Sequence, residues 1–178
     1  MILYFNPGHE TAVHNASPFY MSPANVVAMQ KELAFLPAWY GDCNDVVLVN
    51  NIDNNYYTAL YVQFQCLPHA ITKDDISQYQ HSEVSLWGVS PQPVHFFKEL
   101  ADTYQVKLMI PEWQSGYTYL NSRQSACDVL LAIIEEIPEL PEISESIVPL
   151  FYTSLEDIKN AVDTSSEKFL AKAPYSSS

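Results

Sequence analysis

Several residues near the N-terminus could bind a substrate or move a proton. The apolar run of residues 2–5 predicts a buried first strand, and an Asn-Pro-Gly turn follows it. The polar or flexible residues at and just after this turn are Asn6, Gly8, His9 and Glu10. Gly8 would let the backbone approach a ligand, while His9 and Glu10 could contact substrate or shuttle protons. The competing interpretation is that His9 and Glu10 only cap the next segment.

Arg123 is the only arginine in the chain. A guanidinium group suits bidentate recognition of a carboxylate or a phosphate, so Arg123 is a candidate substrate-binding residue. An ordinary surface ion pair is the alternative. Two other loops follow predicted strands and could border a ligand, one at Ser90 and Pro91 and one at Glu112 and Trp113.

A zinc site is not predicted, although His9, Glu10 and His14 resemble the motif HExxH. The second histidine stands at i+5 and not at i+4, so a helix would turn it away from the first. The three cysteines form no CxxC or zinc spacing, and reduced thiols are expected. The sequence therefore predicts no metal ligand.

Strands and helices alternate along residues 1–137, which predicts an α/β fold of three layers with a mainly parallel sheet. Serine-proline pairs begin helices at Ser22 and Ser90, and a third helix opens near Ser122. Residues 54–67 are ambiguous between helix and strand. The predicted strands are residues 2–5, 45–50, 70–72, 84–89 and 106–110. Helical spacing predicts apolar faces at Val26, Met29, Leu33 and Leu36, at Val94, Phe97, Ala101 and Tyr104, and at Ala126, Val129, Ile133 and Ile137.

The composition excludes some partners. Eight basic against 21 acidic residues give a net charge of −13, which opposes binding to nucleic acid. No apolar run approaches the ~20 residues that cross a bilayer, so no membrane partner is predicted and the cytoplasm is the expected location. Neither GxGxxG nor a P-loop occurs. Homodimer formation is left open.

Proline and glutamate in residues 138–146 predict a linker, and a second unit would occupy residues 147–178. Ser154 opens a capping-box helix, and residues 168–173 predict a strand that runs into Ser176, Ser177 and Ser178. This helix, this strand with Lys172, and these serines resemble the opening of the ATP-grasp nucleotide fold. The N-terminal stretch of residues 3–10 is also similar to the start of bacterial proteins of that superfamily.

The resemblance implies that residues 1–137 are a Rossmann-like pre-ATP-grasp domain and that the chain stops inside the nucleotide-binding loop. Lys172, Ser176, Ser177 and Ser178 would contact the nucleotide, with ATP and Mg²⁺ as cofactors of the intact protein and neither bound tightly by this chain. The implied reaction joins a small-molecule carboxylate to an amine or related nucleophile through an acyl phosphate. The chain itself would be inactive. The alternative is a stand-alone Rossmann-like domain that binds a small molecule without catalysis.

Overall fold

The computed structural model describes residues 1–137, 147–152, 154–165 and 170–175. By its internal contacts the chain divides into two units, Met1–Tyr117 and Thr118–Ser178. The domain boundaries predicted from the sequence stay a prediction, and the predicted linker at residues 138–146 lies outside the described residues.

A four-stranded sheet organises the first unit, and all its pairings are parallel. The strands are β1 (Ile2–Tyr4), β2 (Val46–Leu48), β3 (His69–Ile71) and β4 (Val84–Leu86), in the order β3-β2-β1-β4. The helices of the chain are α1 (His9–Asn15), α2 (Ala24–Glu32), α3 (Asn54–Gln63), α4 (Pro91–Thr103), α5 (Gly116–Leu120), α6 (Arg123–Glu136) and α7 (Leu155–Thr164). Short 3-10 helices cover Leu36–Trp39 and Lys73–Gln78.

The two faces of the sheet are covered by different elements, because successive side chains of a strand point to opposite faces. On one face, Ile2 packs in a core with Phe97 and Leu100 of α4. On the other, Leu3 packs with Phe35, next to Leu36–Trp39, and half-buried side chains of α3 lie against that cluster. The prediction of an α/β fold with a parallel sheet between helical layers is therefore confirmed, and the strand order is Rossmann-like.

The predicted fifth strand at residues 106–110 is not a strand. It forms one isolated parallel bridge, in which Met109 stands opposite Glu83. The Met109 N–H donates to Ser82 O at 2.9 Å, and the Val84 N–H donates to Met109 O at 2.9 Å. Pro111 follows two residues later and has no N–H to continue the ladder, so the pairing ends there.

Two of the predicted apolar faces are not buried. On α2, Met29 and Leu33 are 39% and 45% exposed, because the helix turns Gln30 toward the sheet. The Gln30 side-chain N–H donates to the Tyr4 hydroxyl at 2.8 Å and to Phe5 O at 2.9 Å. On α6, Val129 is 59% exposed, and the buried residues of that helix are Ser125 and Cys127. Val26 of the predicted α2 face is half-buried, so periodicity was correct there in part, whereas all four predicted residues of α6 are exposed.

Within the second unit, side-chain caps begin both long helices. Ser122 accepts from the Ser125 N–H at the start of α6, and Ser154 accepts from the Asp157 N–H at the start of α7. The predicted strand at residues 168–173 is not observed in its described part, residues 170–173. No helix in the described part of the chain is both long enough and apolar enough to cross a membrane.

Candidate functional site

A small pocket of about 100 Å³ opens at the carboxyl ends of β1 and β4. The sheet runs from β1 through β2 to β3 on one side and places β4 on the other side of β1. Strand order therefore reverses between β1 and β4, and open α/β sheets bind ligands in the crevice beyond such a reversal. The pocket is lined by Asn6, Gly8, His9, Ala12, Tyr20, Ser22, Val27, Gln30, Ser90 and Gln92.

Asn6 joins the two loops that form the pocket. Its side chain is buried, and its Nδ2 donates to Gly88 O at 2.7 Å. In return, the Gly88 N–H donates to Asn6 Oδ1 at 3.2 Å. Both ends of the amide are therefore used to hold the loop after β1 against the loop after β4, so the predicted binding residue has a positioning role in this structure.

Two glycines allow close packing around the pocket, and neither has a positive φ. A Cβ on Gly8 would lie 2.9 Å from Ser22 Oγ and 3.0 Å from Val26 Cγ1. A Cβ on Gly88 would overlap the His9 ring and would lie 2.6 Å from His9 Cβ. Gly8 therefore lets the start of α2 approach α1, and Gly88 makes room for the His9 side chain.

His9 is the first residue of α1, and its ring borders the pocket. Burial lowers the pKa of His9, while the charge of Glu10 and a hydrogen-bonding interaction of the ring with the Asn6 backbone act in the opposite direction. The ring is therefore neutral near pH 7. Among the described residues, none forms a hydrogen bond with the buried His9 Nδ1.

Ser90 precedes the first turn of α4 and is completely buried. An N-cap serine ordinarily accepts from the N–H of the second or third helical residue. Here Pro93 occupies the third position and has no N–H, and Ser90 makes no capping hydrogen bond. Within the part of the chain that the structure describes, Ser90 Oγ is the second buried side-chain polar atom without a partner, and it lines the same pocket as His9.

The first turn of α4 adds a donor to this pair. Pro91 and Pro93 carry no N–H, so Gln92 supplies the only backbone N–H among the first three helical positions. Such N–H groups have no partner within the helix, and the positive end of the helix dipole favours negative charge beside them. None of the described lining residues is Lys or Arg.

A wider groove of about 520 Å³ lies between the first turns of α4 and the segment that follows α1. It includes Glu112 and Trp113, which the sequence placed near a ligand, and it also contains Lys98. His95 Nε2 lies 3.4 Å from Glu99 Oε1, one turn further along α4. The groove is lined by Ala16, Pro18, Pro91, Val94, His95, Lys98, Glu112 and Trp113.

The structure brings together only some of the predicted site residues. Asn6, Gly8 and His9 border the pocket, whereas Glu10 is half-buried on α1 and does not line it. Arg123 belongs to the second unit, where its Nε donates to Ala173 O at 3.0 Å and its backbone N–H donates to Pro174 O at 2.9 Å.

The predicted nucleotide contacts do not form a described site. Lys172 is exposed and stands outside any strand, and Ser176, Ser177 and Ser178 lie outside the described residues. Within the described ranges no three His, Cys, Asp or Glu side chains are grouped so as to hold a metal ion. The predicted nucleotide contacts and the cofactors ATP and Mg²⁺ therefore stay predictions.

Six pocket residues were not predicted from the sequence: Ala12, Tyr20, Ser22, Val27, Gln30 and Gln92. Ser90, which the sequence placed in a loop that could border a ligand, lines the pocket. No protein-family model matches this chain, and comparisons with curated proteins and with solved structures likewise found no match. The resemblance to ATP-grasp proteins stays a prediction.

Proposed function

We propose that the first unit binds a small molecule through its carboxylate in the pocket between β1 and β4. The observation that carries this proposal is a pair of buried polar atoms, Ser90 Oγ and His9 Nδ1, which have no hydrogen-bond partner among the described residues and lie where strand order reverses. Leaving a buried polar group unpaired costs about 1–3 kcal/mol. A ligand that supplies acceptor atoms would recover that cost.

A carboxylate matches the donors at the pocket. The hydroxyl of Ser90, the Gln92 N–H and the Nδ1–H tautomer of neutral His9 are three groups that can donate to its oxygens. The helix dipole of α4 adds a favourable field at its N-terminus. A pocket of about 100 Å³ has room for a carboxylate with its neighbouring carbon atoms.

We further propose that the intact protein is an ATP-dependent carboxylate ligase and that this unit supplies its substrate pocket. The support is the resemblance of residues 154–178 to the ATP-grasp opening, together with a carboxylate-sized pocket in a Rossmann-like unit. The chemistry of such a ligase forms an acyl phosphate on the substrate carboxylate. No chemical step is assigned to the described residues.

A second candidate is a stand-alone carboxylate-binding domain without catalysis. It is favoured by one observation, that Lys172 is exposed and lies outside any strand. The two candidates differ in their response to nucleotide. Ligand-observed NMR of the full chain with Mg²⁺ and a non-hydrolysable ATP analogue should show weak binding that Lys172→Ala removes if the ligase proposal holds. Binding that is absent, or unchanged in the variant, would favour the second candidate.

Carboxylate binding itself is tested by calorimetric titration of the full chain with small carboxylates and with the matching primary amides. We expect the acids to bind and Ser90→Ala to weaken them about tenfold or more, because a hydrogen bond to a charged group contributes ~1.5–3 kcal/mol. Ser77→Ala is the matched control, since Ser77 is exposed on Lys73–Gln78 and away from the pocket. Equal affinities for acids and amides, or no effect of Ser90→Ala, would refute the proposal.

A further inference from the structure

Cys43 and Cys66 occupy equivalent places before two paired strands. Strands β2 and β3 are parallel neighbours, with Val46 opposite His69. Each cysteine stands three residues before the first residue of its strand, so the register brings the two loops to the same level of the sheet. Both cysteines are exposed.

The two loops are also in direct contact. A Cβ on Gly41 would lie 2.9 Å from Pro68 Cγ, which shows how closely the loop of Cys43 approaches the loop of Cys66. The His69 N–H donates to Asp45 O at 3.3 Å. The sequence shows none of this closeness, because 22 residues separate the two cysteines.

Further hydrogen bonds fix each loop in place. The Asp42 N–H donates to the Asp45 carboxylate at 3.0 Å, so Cys43 sits within a closed turn. On the other side, the Tyr61 hydroxyl accepts from the Ala70 N–H at 2.9 Å and donates to Pro68 O at 3.2 Å. The Cys66 thiol, followed by burial, raises the pKa of the Cys43 thiol, in agreement with the closeness of the two loops.

We propose that Cys43 and Cys66 form an oxidation site that closes to an intramolecular disulfide when a low-molecular-weight disulfide is the oxidant. One thiolate attacks the oxidant, forming a mixed disulfide and releasing one thiol. The second cysteine then attacks the protein sulfur of that mixed disulfide, forming the Cys43–Cys66 bond and releasing the second thiol. Two protein thiols are oxidised and one oxidant disulfide is reduced to two thiols.

The closeness of the two loops makes the second step intramolecular and favours it over a second mixed disulfide. The bond would tie the entrance of β2 to the entrance of β3. Both cysteines lie at the amino ends of the strands, opposite the edge that carries the pocket. Oxidation should therefore stabilise the unit without altering carboxylate binding, so this inference does not depend on the proposed function.

The experiment equilibrates the full chain with mixtures of oxidised and reduced glutathione, followed by acid quench, alkylation and mass spectrometry. We expect the protein to lose two hydrogens without gaining glutathione. Chymotrypsin, which cleaves between the cysteines at Tyr56 and Tyr57, should release a Cys43–Cys66 linked pair. Cys127 is buried and serves as the internal control, which should be alkylated only after unfolding.

Cys43→Ser and Cys66→Ser provide the matched variants. Each should accumulate one glutathione adduct at its remaining partner cysteine under conditions where the unchanged chain forms the internal bond. The oxidised unchanged chain should also melt at a higher temperature than its reduced form, whereas the melting temperature of either variant should not rise. Two glutathione adducts on the unchanged chain, or a disulfide-linked dimer as the main product, would overturn the inference.

Discussion

Gly88→Ala tests the geometry of the pocket most directly. Gly88 has no positive φ, so an alanine there meets no backbone strain. The substitution acts only through its added methyl group, which would overlap the His9 ring and lie 2.6 Å from His9 Cβ. Either the ring or the loop after β4 has to move. Movement of the loop would also disturb the two hydrogen bonds between Gly88 and Asn6.

The expected effect is large for one methyl group. Forcing an extra methyl group into a packed site costs about 1–3 kcal/mol. Because the hydrogen bonds between Gly88 and Asn6 are disturbed as well, we expect Gly88→Ala to lower the free energy of unfolding by about 2–3 kcal/mol. Urea denaturation monitored by tryptophan fluorescence measures this. Gly116→Ala is the control: a Cβ there has no neighbour within 4 Å, so its free energy of unfolding should stay equal or rise by about 0.4–1 kcal/mol.

A double-mutant cycle with His9→Ala identifies the cause of the loss. If the clash with the ring is responsible, Gly88→Ala should cost less in the His9→Ala background, since the two positions are in contact. The cost should not vanish, because His9→Ala keeps the Cβ that lies 2.6 Å away. Additive effects of the two substitutions, or a Gly88→Ala variant as stable as Gly116→Ala, would refute the packing described for this site.

Two further predictions concern the same edge of the sheet. Asn6→Ala removes both hydrogen bonds to Gly88 and should lower the free energy of unfolding by about 2–3 kcal/mol in urea denaturation. Asn44 is exposed, so the control Asn44→Ala should change the free energy of unfolding by less than about 0.5 kcal/mol. Equal effects of the two substitutions would contradict the positioning role of Asn6. Burial lowers the pKa of His9 in the folded protein, so the unfolded chain binds the proton first and stability should fall as the pH drops through about 6.5. His9→Gln should reduce this fall when urea midpoints are compared at about pH 7.5 and about pH 5.5, and an unchanged pH dependence would count against a buried neutral His9.

Local signals in the sequence predicted the elements that depend on neighbouring residues only. The starts of α6 and α7 follow from serine caps and the start of α4 from proline at the first helical position, signals that act within one turn. Residues 54–67 remained ambiguous because aromatic side chains obscure the helical period. The Asp53 cap that starts α3 was nevertheless visible in the sequence, and its carboxylate accepts from the N–H groups of Asn55 and Tyr56.

The orientation of helices depends on tertiary contacts, which is why the apolar face of α2 was misassigned. The helix presents Gln30 to the sheet because the Tyr4 hydroxyl and the Phe5 carbonyl need a donor there. The same limit applies to the site. The loop after β1 could be placed at the carboxyl edge from its position in the chain, but Tyr20 and Ser22 reach the pocket only through the path of the connection to α2.

Asn6 and Ser90 lie at the same edge of the sheet, but the Asn6 side chain stabilises the fold, whereas the Ser90 hydroxyl is proposed to bind a ligand. Both are buried polar residues, yet the amide of Asn6 is paired at both ends, while the hydroxyl of Ser90 has no partner among the described residues. A side chain kept only for stability would be paired or apolar, because a buried unpaired hydroxyl costs about 1–3 kcal/mol. In the ligand-free chain, Ser90→Ala should therefore leave the free energy of unfolding unchanged or raise it, while the same substitution weakens carboxylate binding. If Ser90→Ala instead destabilises the protein as Asn6→Ala does, the hydroxyl has a structural partner and the case for a ligand at this pocket loses its main support.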